Sequence, residues 1–367
     1  MKIVRPNYDD CLTNLSNSIL KHFGCKTFHN SLSDIDEILK ENNSKNVVVV
    51  LLDGMGSNIM DRLLPDNAFL RKNRKRAFLS VFPPTTVAAT TSFLSGLNPS
   101  EHGWLGWEMY VPKERKIVET FTNCIPGTTD QIADYNLMHK YYSYKSIIDM
   151  INEKYEAHVV SPYQGESYGN LNDMCNKVIN LCDKPGKKFI YAYFEDPDST
   201  EHVYGTDSRE NKLVYKNLNQ KMETMASKLE DTTLIIIADH GHINSSPIQL
   251  KEDDKEFYDM LKKRFSLEPR CANLFVKQES KYDLEDLFTY DYEKSFILYS
   301  KKQVIDKKIF GPGKEHRYFK DSLGDYMAIA TGDKYFRYDG NSKIYKSHHA
   351  GMTEDEMYIP LIVVTKK

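Results

Sequence analysis

Four short segments of this chain gather Asp and His side chains: Asp53-Gly54-Met55-Gly56, the run from Glu195 to His202 (EDPDSTEH), Asp239-His240-Gly241-His242, and Ser347-His348-His349-Ala350-Gly351. Taken singly, each has a simple structural explanation. An Asp after a strand commonly caps a helix or a turn. Asp198 and His202, four residues apart, fall on one side of a turn or helix start, where an ion pair is as natural as a shared ligand. Asp239-His240 is the most telling pair, because it directly follows the apolar run TLIIIA. Two polar side chains at the end of a buried strand are costly unless something binds them. Together, three Asp and three His supply the oxygen and nitrogen donors that zinc accepts. Six such residues make two sites of three ligands each, and each site keeps a position open for a reacting group. Two neighbouring divalent ions suit in-line displacement at phosphorus, one on the attacking oxygen and one on the leaving oxygen.

A nucleophile belongs at the same edge. The segment VFPPTTVAATTSFLSGLNPSEHGW (81–104) reads as a strand from Leu79 to Phe82, a turn at Pro83 and Pro84, and a helix from about Val87. Thr85 or Thr86 then stands near the helix N-cap, beside exposed backbone N–H groups that favour an anion. A threonine hydroxyl is a weak nucleophile that a metal ion can activate.

The elements that position these residues are legible as runs of apolar sequence. NVVVVLL (46–52), FIYAYF (189–194) and TLIIIA (233–238) are short, rich in β-branched residues and free of alternation. That pattern predicts parallel strands buried on both faces. MYIPLIVV (357–364) predicts a fourth strand, at an edge or irregular because of Pro360. Helical spacing over Thr90–Leu97, Tyr144–Tyr155, Gly169–Cys182 and Leu213–Leu229 lies between them. The alternation predicts one α/β domain over 1–367, a three-layer α/β/α fold on a mostly parallel central sheet. In open α/β sheets, ligands bind beyond the carboxyl ends of the strands, where the Asp and His segments begin. Residues 250–345 are more charged and read as an inserted cap subdomain. The basic run RKNRKR (71–76) reads as a solvated helix end rather than a phosphate-steering patch.

Composition narrows the class. The chain has 367 residues, 40% apolar and 28% charged, with formal net charge −3. No global field draws it to nucleic acid polymers or an anionic membrane. Its longest apolar runs are too short to span a bilayer, and the N-terminus lacks the apolar core of a secretory signal. Six scattered cysteines without C-x-x-C spacing predict free thiols, and with them a cytoplasmic location.

The motifs LLDGMG, FPPTT…SFLSGLNPSEHGW, DPDSTEHVYG, ADHGH and HHAGMTEDEMYIPLI together resemble the alkaline phosphatase superfamily, and within it the type I phosphodiesterase/nucleotide pyrophosphatase branch. The resemblance covers Val47–Trp104, Tyr191–Gly205, Leu234–His242 and Lys346–Val364. It implies an enzyme that hydrolyses phosphate diesters or nucleotide pyrophosphates with two divalent metals, zinc or else manganese. It implies Thr86, four residues after the Phe, as nucleophile. Asp53, Asp239, His240 and Thr86 would bind one metal, and Asp198, His202 and His349 the other. His349 is preferred to His348 because two small residues follow it, and His242 falls where the family needs no ligand. The branch carries an Asn three residues after the nucleophile where this chain has Ala89, which weakens any inference of nucleotide specificity. A phosphomonoesterase or phosphonate hydrolase on the same metals, and an inactive binding protein of the same fold, are the alternatives. The expected partner is a small phosphate ester. Trp104, Trp107 and Tyr110 either pack in the core or stack a flat leaving group, and Arg270 or Lys314 could meet phosphate.

Overall fold

The computed structural model of the protein describes residues 2–339 and 343–367. Its central sheet has six strands, in the order Arg74–Leu79, Tyr358–Lys366, Thr232–Ile237, Asn46–Leu52, Lys188–Phe194 and Glu156–Val160. The three apolar runs read as strands lie side by side at its centre. Asn46–Leu52 pairs in parallel with Lys188–Phe194 on one side and Thr232–Ile237 on the other. Every side chain of Asn46–Leu52 is buried, because helices cover both faces. On one face pack Leu12–His22, Ser33–Asn42 and Thr86–Ser95, and on the other Leu171–Asp183, Arg209–Lys228 and Phe69–Lys72. The fold is thus α/β with a mostly parallel sheet, as expected.

The last strand takes one of the two forms expected from Pro360. Tyr358–Lys366 is an inner strand, antiparallel to both neighbours. Pro360 is tolerated because the register shifts between Leu361 and Ile362, so the strand is irregular but not an edge. The edge is Arg74–Leu79, where the basic run 71–76 lies. That run is not one helix end: helix Phe69–Lys72 stops inside it and the edge strand begins at Arg74. Its arginines pair with carboxylates of the same chain, Arg71 and Arg74 with Asp61, and Arg76 with Asp10 and Asp34.

A second six-stranded sheet joins Phe296–Ser300, Tyr326–Ala330, Cys271–Leu274, Ser266–Glu268, Glu108–Val111 and Lys116–Glu119. It has its own apolar cluster around Phe257, Phe288, Phe296 and Phe336. Most of its strands come from the segment expected to form a cap, residues 250–345, of which 340–342 lie outside the described residues. Two come from 108–119, the stretch that follows the nucleophile segment. All six cysteines are free. No helix among the described residues is long and apolar enough to cross a membrane.

Candidate functional site

Each central strand ends in a polar residue of the site. Asp53 follows Asn46–Leu52, and its backbone oxygen accepts from the Asp198 N–H at 3.0 Å. This bond ties the first strand end to the helix Asp198–Tyr204, which begins after Lys188–Phe194. Gly54 permits the approach: its φ is +76°, and a Cβ there would lie 2.9 Å from the Cα and Cβ of Asp198. Asp239 and His240 follow Thr232–Ile237 and are fully buried.

Two pockets result. In the first, Asp53, Asp239 and His240 bring their ligand atoms together. His240 Nε2 lies 3.3 Å from Asp53 Oδ1 and 3.6 Å from Asp239 Oδ2. Thr86 Oγ1 sits 3.2 Å from His240 Nε2 and 3.4 Å from Asp53 Oδ2. In the second, Asp198, His202, His242 and His349 converge. Asp198 Oδ1 is 3.4 Å from His202 Nε2, 3.9 Å from His349 Nε2 and 2.6 Å from His242 Nε2. The pockets touch through the rings of His240 and His349, stacked 3.8 Å apart. His348 has other partners: its ring lies tilted against Tyr335 at 3.8 Å, and its Nδ1 meets Ser245 Oγ at 2.9 Å.

Tautomers decide which nitrogens could hold a metal. The Nδ1 atoms of His202, His240 and His349 face the backbone oxygens of Ser347 (2.8 Å), Gly241 (3.1 Å) and Pro84 (3.2 Å). A carbonyl only accepts, so each Nδ1 carries the proton and each Nε2 presents its lone pair to the pocket. This is the orientation that metal-binding histidines need. The spacing also fits, since two donors each about 2 Å from a tetrahedral ion stand about 3.3 Å apart. Asp239 Oδ2 is buried without a hydrogen-bond partner, as a carboxylate awaiting a cation would be.

His242 is the residue that reasoning from sequence left aside. Its Nε2 donates to Asp198, and its Nδ1 accepts from Ser347 Oγ at 3.1 Å. With its proton committed to the carboxylate, His242 orients Asp198 rather than offering a lone pair. Its position two residues after His240 was the available signal. Tyr193 plays the equivalent part in the first pocket, its hydroxyl donating to Asp53 Oδ2.

Electrostatics separate the pockets further. Burial raises Asp53 and Asp239 well above the usual carboxylate range, and the neighbouring Asp198 and Asp53, respectively, add to it. Burial also works against ionisation of Asp198, but His202, His242 and His349 outweigh it and hold that carboxyl well below the usual range. Burial lowers His242 to about 3 and lowers His349 strongly, with His240 adding to the second. Both rings stay neutral, as donor and ligand roles require.

The nucleophile candidates are sorted by burial. Across 78–96 every residue is buried except Thr86. Thr85 is the N-cap of helix Thr86–Ser95, but its hydroxyl donates to Glu268 Oε1 at 2.7 Å instead of capping. The first-turn N–H groups of Thr86, Val87 and Ala88 have no partner within the helix and make an anion site beside Thr86.

Other candidates move out of the site. Arg270 is fully buried, with its guanidinium bonded to both oxygens of Glu356 and to the Lys334 and Gly332 carbonyls, so it is structural and does not meet phosphate. Lys314 is exposed. Trp104 is buried and donates to the Tyr142 carbonyl at 2.8 Å, Tyr110 packs on Phe275, and Trp107 alone is 39% exposed.

The family model for type I phosphodiesterase/nucleotide pyrophosphatase matches residues 47–353. No curated protein sequence matches the chain. Among solved structures it resembles an inactive variant of murine ectonucleotide pyrophosphatase/phosphodiesterase 5 in complex with AMP, at TM-score 0.65 and 17% identity, over 86% of this chain and 87% of the other. The human counterpart gives 0.64 and 17% over the same shares. Phosphonoacetate hydrolase from Sinorhizobium meliloti 1021, in complex with phosphonoformate, gives 0.62 and 13%, over 86% and 89%. These likenesses establish a shared fold. With clusters suited to metal binding at the strand ends, the chain belongs to the type I phosphodiesterase/nucleotide pyrophosphatase family and is a metal-dependent phosphoesterase.

Proposed function

We propose that the chain hydrolyses phosphate diesters or pyrophosphates with Thr86 as nucleophile and two divalent metals, zinc or manganese, held by Asp53, Asp239, His240 and Thr86 on one side and by Asp198, His202 and His349 on the other. The observation that carries this reading is the placement of the Thr86 hydroxyl, 3.2 Å from His240 Nε2 and at the only unburied position of its segment. Bound metals would supply the charge that lowers the threonine pKa and steadies the leaving oxygen.

The protein residues do the rest. Thr86 Oγ1 attacks phosphorus, its proton having left for water as the hydroxyl ionises, and the ester bond to the leaving alcohol breaks in line. The first-turn amides of Thr86, Val87 and Ala88 receive a phosphoryl oxygen, a service that the small Ala89 side chain cannot give. Tyr193 and His242 hold Asp53 and Asp198 in place. Water then cleaves the phospho-threonine ester.

Thr86→Ala should lower turnover of a nitrophenyl nucleotide diester by roughly a thousandfold or more, while metal analysis still finds two ions per chain. Retention of most of the activity would refute Thr86 as the nucleophile. Faster turnover of nitrophenyl phosphate than of the diester would favour a monoesterase. A purified protein that binds no metal and stays inert with added zinc or manganese would favour a binding role.

A further inference from the structure

Glu201 is a fully buried carboxyl that neither pocket nor the proposed reaction uses. On the helix Asp198–Tyr204 it stands three residues after Asp198 and directly before His202, so it shares their side of the helix. One of its oxygens is anchored. Oε1 accepts from Asn211 Nδ2 at 2.8 Å and from the Tyr215 hydroxyl at 3.3 Å, and both donors belong to the helix Arg209–Lys228. Asn211 Nδ2 also donates to the Thr206 carbonyl at 2.7 Å, and two acceptors on one nitrogen fix which way the amide faces. The other oxygen has no anchor: Oε2 is sealed from solvent and makes no hydrogen bond.

A single distance shows what this oxygen faces. Glu201 Oε2 lies 4.0 Å from His242 Nε2. That nitrogen carries the one proton of a neutral ring and donates it to Asp198 Oδ1 at 2.6 Å. The His242 N–H therefore stands between two carboxyl groups, bonded to one and within a small ring movement of the other. Asp198 Oδ1 is also the oxygen closest to the Nε2 atoms of His202 and His349, so an ion in this pocket would compete with His242 for it. A cation on a carboxylate oxygen weakens that oxygen as a hydrogen-bond acceptor. Glu201 Oε2 has no such competitor. No described Lys or Arg makes an ion pair with Glu201, and the nearby Arg62 is held by Asp207 at 3.3 Å and Asp355 at 3.0 Å. A buried acceptor without a donor is costly unless a partner reaches it.

We propose that Glu201 is a positioning residue of the second metal pocket, the acceptor that takes the His242 N–H when Asp198 binds the ion and so keeps His242 and Asp198 in place. The inference rests on the two-metal reading above. Glu201 touches neither ion nor substrate and acts only through His242. Asn211 and Tyr215 hold it from the helix behind, so the second pocket is braced by a chain of contacts from Arg209–Lys228 through Glu201 to His242.

Zinc titration of the full chain against a competing chelator tests this. Glu201→Gln keeps a carbonyl oxygen for Asn211 and Tyr215 but sets an amide donor against the His242 N–H. It should lower zinc affinity at one site of two by about tenfold, the range for outer partners of a metal ligand. Its melting temperature in chelator should not fall, because the variant removes a buried acceptor that has no donor. In a His242→Ala background the same substitution should cost no further affinity, since the residue it acts through is gone. Unchanged zinc affinity in Glu201→Gln, or an equal tenfold loss with His242 already removed, overturns the positioning role and leaves the two-metal reading standing. A loss shared by both sites together with a lower melting temperature in chelator assigns Glu201 to the fold and overturns it as well. A wild-type protein that binds no zinc overturns both.

Discussion

The two pockets meet across a single ring stack, yet they are built on opposite principles. The Asp53 pocket is rich in oxygen and sealed: Asp53 and Asp239 are buried together, and burial penalises their charges. The Asp198 pocket is rich in nitrogen and partly open, and its single carboxylate is stabilised by three imidazoles. The first pocket holds more negative charge than the protein itself neutralises. The second carries the charge of a single carboxylate. The difference indicates where a cation contributes most to stability, and it gives the two aspartates opposite pH behaviour in the metal-free protein.

The largest effect expected from this contrast is at Asp239. Asp239→Asn should lower activity by at least about a hundredfold, a loss at or beyond the upper end for outer-shell partners of a metal. In chelator it should do the reverse for stability. A carboxyl whose folded pKa is raised contributes stability below its usual value of 3.8, and that contribution is lost as pH rises through the folded pKa. Above that point, metal-free Asp239→Asn should melt at a higher temperature than the wild-type protein. A lower melting temperature in chelator at pH 8 would break the comparison. Asp198, with a lowered pKa, contributes stability above 3.8 that is lost as pH falls through its folded value. Asp198→Asn should therefore destabilise the metal-free protein at neutral pH, the opposite sign in the same melting experiment.

Next in size is His242→Ala, which removes the donor that orients Asp198. Metal affinity of one site of two should fall by about 10- to 100-fold, and titration against a competing chelator would resolve it. A uniform loss at both sites would mean that His242 supports the fold and not one pocket. Gly54→Ala places a Cβ 2.9 Å from Asp198 at a φ of +76°. It should cost about 1–3 kcal/mol of stability in denaturant unfolding and weaken both pockets together, since the strain lies at their junction. Ser347→Ala is the smallest test. It deletes only the hydroxyl bonded to His242 Nδ1 and spares the Ser347 carbonyl that sets His202. About 1 kcal/mol, or a few-fold in affinity, is expected.

Much of this was legible in the chain itself. NVVVVLL reads as a doubly buried strand because β-branched side chains without alternation have no solvent face, and the structure buries every one of them. Asp53 and Asp239 could be picked out because a polar residue at the end of such a strand must either cap or bind. Pro360 left two outcomes open because a proline forbids one ladder bond, and the register shift just after it makes the strand irregular instead of an edge. Arg270 looked like a phosphate contact because nothing local announces Glu356, 86 residues further on.

The sequence by itself therefore determined the strands and the ligand types at their ends, since both follow from short-range burial and spacing. Only the tertiary structure decided what each of them touches. It gave the Thr85 hydroxyl a partner in Glu268, left the Thr86 hydroxyl beside His240, and set His242 against Asp198. Protonation and pairing depend on groups distant in sequence, and those are set only when the chain has folded.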